Sequence, residues 1–454
     1  MRRLASRAFI IVVGIFLLLL IENTRSVSAQ VDAGKEQGGD EAQIEPSSDV
    51  TSKKWKSFLE TLPFELHGFW DARGGLRTQN DPHESKTATL GETRLQLNLF
   101  KALEWAQFRI KSDFLYDGVV EGADIDIREA NALFTPFEFI DLKVGRQILT
   151  WGTGDYIFIN DLFPKDYNSF FIGRDDEYLK APSDAVKASL YTKFFNLDFV
   201  YTPQFDPDRF IDGERLSYFN PQLGRLAGED AKIRPHKRDE WFEDDEMALR
   251  FYRNIKGYDL ALYGYNGFWK SPMGFDPQTG EATFPRLSVV GLSGRGKVWK
   301  GIGNIETGYY DSRDDRSGKN PFAPNSQFRF LAGYEQELAK DFTMGVQYYL
   351  ELMSDYGAYE RTLPPGSHAA DEYRHVITLR LTKLLMYQNL RLSLFTFYSP
   401  SEQDIYARPN IHYRITDHWS AEAGANIFFG EEDHTFFAQF KDNTNVYLGL
   451  RWSF

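Results

Sequence analysis

Along most of the chain apolar and polar residues alternate one for one, the period-two signature of strands with one apolar and one wet face. Leu95, Leu97 and Leu99 alternate with Arg94, Gln96 and Asn98; Leu379 and Leu381 alternate with Thr378, Arg380 and Thr382. Phe108, Ile110 and Phe114 share one parity, and Gln107, Arg109, Lys111 and Asp113 the other. The final segment is the cleanest, with Val446, Leu448, Leu450, Trp452 and Phe454 on one face and Asn445, Gly449, Arg451 and Ser453 on the other. Past the N-terminal segment no apolar run reaches the roughly 18 residues that suggest a membrane helix, and lipid otherwise admits only closed barrels. Two readings survive, a soluble exported sheet protein and an all-β transmembrane antiparallel β-barrel. The closing aromatic strand favours the barrel.

Spacing between the runs carries topology. Short links fall near Lys101, Pro136, Phe195, Lys256, Lys300, Lys340, Met386 and Asp417. Between them lie longer polar stretches at 77–88, 149–182, 204–240, 270–284, 311–325 and 354–371. Eight short turns on the periplasmic side, with both termini there too, predict about 18 strands. Sixteen is the alternative, because the runs at 257–268 and 282–296 alternate weakly.

The segment ahead of the strands sets the compartment. Arg2, Arg3 and Arg7, the apolar run Ala8–Ile21 and the small residues Val27-Ser28-Ala29 predict a signal peptide over 1–29. Residues 30–62 form an acidic, disordered arm followed by a short amphipathic helix, with Trp55, Phe58, Leu59 and Leu62 on one stripe. The barrel then occupies 63–454.

Composition agrees with this division. Aromatic residues make up 16% of the 454-residue chain and cysteine is absent, which excludes disulfide scaffolds and cysteine-ligated metal sites. Removing the signal peptide takes away four arginines and one glutamate, so the net charge moves from −13 to −16. So acidic a chain has no attraction for nucleic-acid phosphates.

If the apolar face meets lipid, the other face lines the lumen. The inward set then includes Arg73, Arg94, Arg109, Lys111, Arg128, Lys187, Arg250, Arg329, Arg374, Arg380, Arg391, Arg408, Arg414 and Arg451. Arginine is densest on strands fourteen to sixteen, which predicts one positive wall of fixed-charge forks for carboxylate or phosphate. Inward acids (Asp113, Asp124, Asp126, Asp198, Glu246, Glu306, Glu351) come mostly from other strands. Mutual pairing of these charges, which would only stiffen a wet wall, is the plain alternative.

Loop 149–182 carries Asp155, Asp161, Asp166, Asp175, Asp176 and Glu177 among many aromatics. Folded inward it would be an acidic constriction facing the arginines and setting a transverse field across the pore; a loop lying over the mouth is the alternative. Arg146 shares the outward parity of Val144 and Ile148, and a bulge near Gly145 would return it to the lumen.

The Gly145-Arg146-Gln147 strand end, the Trp151-Gly152 turn, the third-loop position and the C-terminal aromatic resemble bacterial outer-membrane porins, more narrowly the alginate-export and related channel families. That resemblance implies an 18-stranded channel with an arginine-lined lumen, and a terminal Phe454 read by the barrel-assembly machinery. Enzymatic barrels are the rival class, but His67, His375 and His412 have no serine two positions on, and His418 with Ser420 sits at a short turn. Asp311-Ser312-Arg313-Asp314-Asp315 lacks the ligand spacing of a calcium loop. The expectation is therefore an outer-membrane channel without catalytic residues, metal or cofactor, passing hydrophilic, anionic solutes or an anionic polymer by diffusion. Its partners are lipid and solute. A receptor or adhesin built on the long loops is the alternative.

Overall fold

The computed structural model describes residues 63–454. The expected signal peptide, arm and amphipathic helix lie outside the described residues.

Eighteen long strands follow in chain order: β1 Glu65–Arg77, β2 Ala88–Ala102, β3 Ala106–Asp117, β4 Gly122–Phe137, β5 Ile140–Ile148, β6 Pro182–Tyr191, β7 Asn196–Thr202, then β10 Glu246–Ile255, β11 Tyr258–Phe268, β14 Arg286–Val298, β15 Gly301–Ser312, β16 Gln327–Ala339, β17 Phe342–Met353, β18 Tyr373–Leu385, β19 Leu390–Ser399, β20 Asp404–Arg414, β21 Trp419–Phe429 and β22 Asn445–Ser453. Two small hairpins sit in the long loops, β8 Tyr218–Asn220 with β9 Arg225–Ala227, and β12 Gly274–Asp276 with β13 Glu281–Thr283. Short helices α1 (Tyr167–Ile172) and α2 (Tyr356–Glu360) also lie in loops.

Each long strand pairs antiparallel with its neighbours, and β1 pairs with β22 from Phe69↔Ser453 to Arg77↔Asn445, which closes the sheet into an 18-stranded barrel. Closure leaves no edge, so every ladder group finds a partner within the protein. The sixteen-strand alternative is thereby corrected. All eight short links separate consecutive long strands at one end of the barrel, as their positions suggested.

The outer face is apolar. Val290 and Leu448 are 71% and 67% exposed, while inward Asp71, Arg94, Asp113 and Glu306 are buried. An apolar belt this large is tolerable only against lipid. At the short-turn end Trp105, Phe194, Trp299 and Tyr387 stand exposed, the interfacial ring of amphipathic aromatics expected where hydrocarbon meets headgroups.

Two local departures matter for the lumen. The β3–β4 register shifts between Lys111 and Ser112, so Lys111 faces Glu129 and Ser112 faces Ile127. The extra residue at this bulge is Arg128, and Arg128 and Glu129 are both buried although adjacent. Arg146, in contrast, stays outward. The β5–β6 ladder runs unbroken through Arg146↔Asp184, and Arg146 pairs with the exposed Asp184 at 2.9 Å. No bulge returns it to the pore, which corrects that expectation.

The weakly alternating strands have a physical cause. Along β11 and β14 the inward residues Ala261, Tyr263, Tyr265, Leu287 and Val289 are buried in the same apolar cluster as Trp151, Ile159 and Phe163 of loop 149–181. Both faces are then apolar, and the polar half of the dyad signal disappears.

Closure at the seam includes the last residue. Gly68 and Phe454 exchange two backbone hydrogen bonds of 3.1 and 3.0 Å. The Phe454 ring stands 2.7 Å from the point a Cβ at residue 68 would occupy, whereas a Cβ at Gly74 of the same strand meets nothing within 4 Å. Gly68→Val is therefore expected to lower the temperature at which the barrel loses its compact electrophoretic form, and Gly74→Val to leave it unchanged. Equal behaviour of the two variants in a heat-modifiability gel would contradict this.

Candidate functional site

Loop 149–181 enters the lumen and is held there by the wall. Its stem turns at Gly152, whose φ of +81° is the left-handed region glycine tolerates best. A Cβ there would stand 2.9 Å from the Glu306 carboxylate. The space lets Glu306 accept from Thr153 N (2.7 Å), Thr153 Oγ1 (3.1 Å), Gly154 N (3.2 Å), Asn160 N (2.7 Å) and Asn160 Nδ2 (3.1 Å). One buried carboxylate on β15 thus satisfies the irregular backbone of the turn, as burial demands. Trp151 anchors the same stem edge-on against Phe163 at 4.9 Å.

Farther along, α1 starts where Asp166 caps Ser169 N at 2.7 Å and ends at Gly173, φ +87°. Its Phe170 and Phe171 pack against Tyr406, and Phe171 also against Phe428 and Phe440. Tyr156 meets Phe395 edge-on at 4.7 Å. Backbone carbonyls left over by so short a helix are taken by the wall: Asn445 Nδ2 donates to Phe171 O and Arg73 Nη1 to Gly173 O, both at 3.0 Å. A Cβ on Gly173 would clash with the Tyr447 ring.

The loop acids divide into two groups. Asp161 and Asp166 are buried and hold the loop's own fold: Asp161 takes Thr150 Oγ1 and Lys165 Nζ, and Asp166 caps α1 and lies 3.5 Å from Arg209. These two do not face a solute path. Asp155, Asp175, Asp176 and Glu177 reach the wall instead. Asp155 is 3.5 Å from Arg380, Asp175 is 3.1 Å from Arg451, Asp176 is 3.0 Å from Arg408 and Glu177 is 3.1 Å from Lys111.

The arginines divide similarly. Arg94 is buried between Glu92 and Asp113; Arg128 donates to the Glu177 and Lys180 carbonyls; these two guanidiniums lie 4.0 and 4.5 Å from the Tyr178 ring. Arg250 lies 4.0 Å from Asp198, Arg329 is 3.3 Å from Glu351, and Arg374 is 2.7 Å from Glu402. Arg380 also contacts Glu335, Arg451 contacts Asp71, and Arg414 is bonded to Asn389 beside a short turn. Arg109 and Arg391 are exposed and make no ion pair among the described residues. Arg391 lies within electrostatic reach of Asp175 and His412. The expected inward set lacks Lys143, which lies 3.7 Å from Glu129, and Arg295, which shares the inward side of Ser293, opposes Asn304 and lies within reach of Asp155. The weak alternation of β14 hid Arg295.

A second inward segment was not legible. From loop 203–245, Arg209 forks onto Asp126 through two 2.8 Å bonds, and Arg215 reaches Asp117 and the Thr89 carbonyl. No local spacing marks these partners. The histidines offer no base for a serine: His375 Nδ1 meets the Tyr348 hydroxyl and His418 Nδ1 the Ser453 carbonyl. Asp311 is bonded to Arg316, and Asp315 accepts the backbone N–H of Ser317, Lys319 and Asn320, so this acidic stretch is occupied with its own loop.

No family model matches the sequence, and no curated protein does either. Among solved structures the chain is similar to Acinetobacter baumannii OccAB3, at 11% identity and a TM-score of 0.51 over 86% of this chain and 99% of that one. It is equally similar to Acinetobacter baumannii OccAB1, at 8% identity and a TM-score of 0.51 over 86% and 96% of the two chains. Likeness at such identities shows the fold. The chain is a closed, porin-like barrel of the outer-membrane kind, and the narrower resemblance to alginate-export channels is not shown by these matches.

Glu306→Ala removes an acceptor whose charge-assisted bonds are worth about 1.5–3 kcal/mol each, and Gly173→Val displaces the helix end from Tyr447. Both variants are expected to release the loop and raise single-channel conductance in planar bilayers; unchanged conductance would show that the loop does not limit flow. At the outer rim, Glu84 lies 3.8 Å from Arg77, and its Oε1 is buried without a donor. Burial pushes its carboxyl from 4.5 up to about 8, with Arg77 opposing. The folded rim then holds a proton that the unfolded chain releases, so its stability should fall as pH rises from 4.5 to about 8. Tryptic nicking at Lys86 should increase across that window, and Glu84→Gln should flatten the profile.

Proposed function

We propose that this barrel is a passive outer-membrane channel for small hydrophilic solutes, with a preference for anions, and that loop 149–181 is its constriction. One observation carries the reading: Arg391, on the inward parity of β19, is exposed, has no ion pair among the described residues and lies within electrostatic reach of Asp175 of the acidic loop. On the same wall Arg380, Arg408 and Arg451 engage Asp155, Asp176 and Asp175 of the loop. Charges matched at 3.5, 3.0 and 3.1 Å hold the loop against that wall and largely cancel one another. The unpaired guanidinium adds a weak, fixed-charge stop for a carboxylate or phosphate. A solute leaves such a site readily because no deep cage surrounds it.

Part of the inward charge holds the loop, through Lys111, Arg380, Arg408 and Arg451 on its acids. The fold likeness to outer-membrane porins supports the channel reading and the location.

Arg391→Glu is the informative substitution, because reversing Arg408 would also break its contacts with Asp176 and Phe170 and move the loop. In a salt gradient across a planar bilayer the variant should lower the anion-over-cation permeability ratio roughly twofold or more. An unchanged reversal potential would remove Arg391 from the pathway.

A further inference from the structure

We propose that the rim carries a site for a divalent transition-metal cation of the zinc class, formed by His368, Glu432 and His434, which staples two long loops together. His368 lies in loop 354–372 and the other two in loop 430–444, and their ligand atoms all fall within 4.8 Å of one another. The imidazoles stack at 4.0 Å between centroids and 17° between planes, and Glu432 Oε2 is 3.9 Å from His434 Nδ1. Phe219 of a third loop meets both rings edge-on, at 6.4 and 6.1 Å.

Three observations separate this cluster from an ordinary surface group. Neither ring nor the carboxylate makes a hydrogen bond among the described residues, so all three donor groups are available. The frame is tied down close by, since Glu432 O accepts from Thr435 N at 3.1 Å and Tyr359 Oη accepts from Ala370 N at 3.0 Å. Asp371 lies within electrostatic reach of His434 and adds negative potential.

The donor set selects the metal. Two imidazole nitrogens and one carboxylate oxygen suit zinc and its neighbours, whereas calcium and magnesium want oxygen alone. Stacked rings point their lone pairs in parallel, so coordination requires one ring to turn out of the stack. His368, at the surface, is free to do so. Spacing in sequence predicts no metal site here, because each loop contributes too few ligands to form a motif.

The purified full barrel should bind one Zn2+ in the micromolar range by calorimetry, with Mg2+ giving no heat. His434→Ala and His368→Ala should each weaken binding by tenfold or more. Zn2+ should also slow tryptic cleavage at the exposed Arg361 severalfold in the unmodified protein and not in the variants. Zinc affinity that survives both substitutions, or absence of zinc binding in the unmodified protein, would overturn the proposal. Binding without protection of Arg361 would overturn the stapling.

Discussion

Every part of this structure follows from one constraint, that a peptide group in hydrocarbon must be bonded within the protein. The β1–β22 ladder meets it by closing the sheet, and the alternation of side chains then assigns one face to lipid and one to the interior. The constraint does not stop at the wall. Loop 149–181 brings irregular backbone to membrane depth, where its own secondary structure cannot satisfy it. Glu306, Asn445, Arg73 and Tyr310 supply the missing partners, Tyr310 through a bond to the Ile159 carbonyl. Conserving polar side chains on the inner face is thus a requirement of the loop as much as of water.

This inner lining is half aqueous and half core. Where the loop lies against β11 and β14, and again against β19–β22, aromatic and aliphatic side chains exclude water as they would in a soluble domain. Between these patches the charges form a two-signed network in which most guanidiniums are already matched. The net charge of −13 says little about such an interior. Inward cations without an ion pair among the described residues include Arg109, Arg295 and Arg391.

Strand number, the eight short turns and the parity of most inward residues were legible in the sequence, because each is a local pattern of period two. Contacts across the lumen were not. Arg451 meets Asp71 across the seam and Arg408 meets Asp176 of the loop, pairs that no spacing rule connects. Arg128 and Glu129 could both face inward only through a bulge that leaves no residue signature, and the bulge expected beside Gly145 is absent. Asp161 and Asp166 look like pore acids by composition, yet a buried lysine and a helix terminus claim them. The long loop 430–444 has no boundary of its own in the sequence, because it runs directly into the final strand.

The aromatic plate under α1 has a consequence for how the chain folds. Phe170 and Phe171 belong to a loop that follows the fifth strand, but their partners Tyr406, Phe428, Phe440 and Tyr447 stand on or beside the last three. The loop therefore cannot dock until nearly all of the wall exists. Non-local contacts of this kind carry their entropy cost early and their reward late. Docking of the loop is thus placed late in assembly, after the strands that carry its aromatic partners.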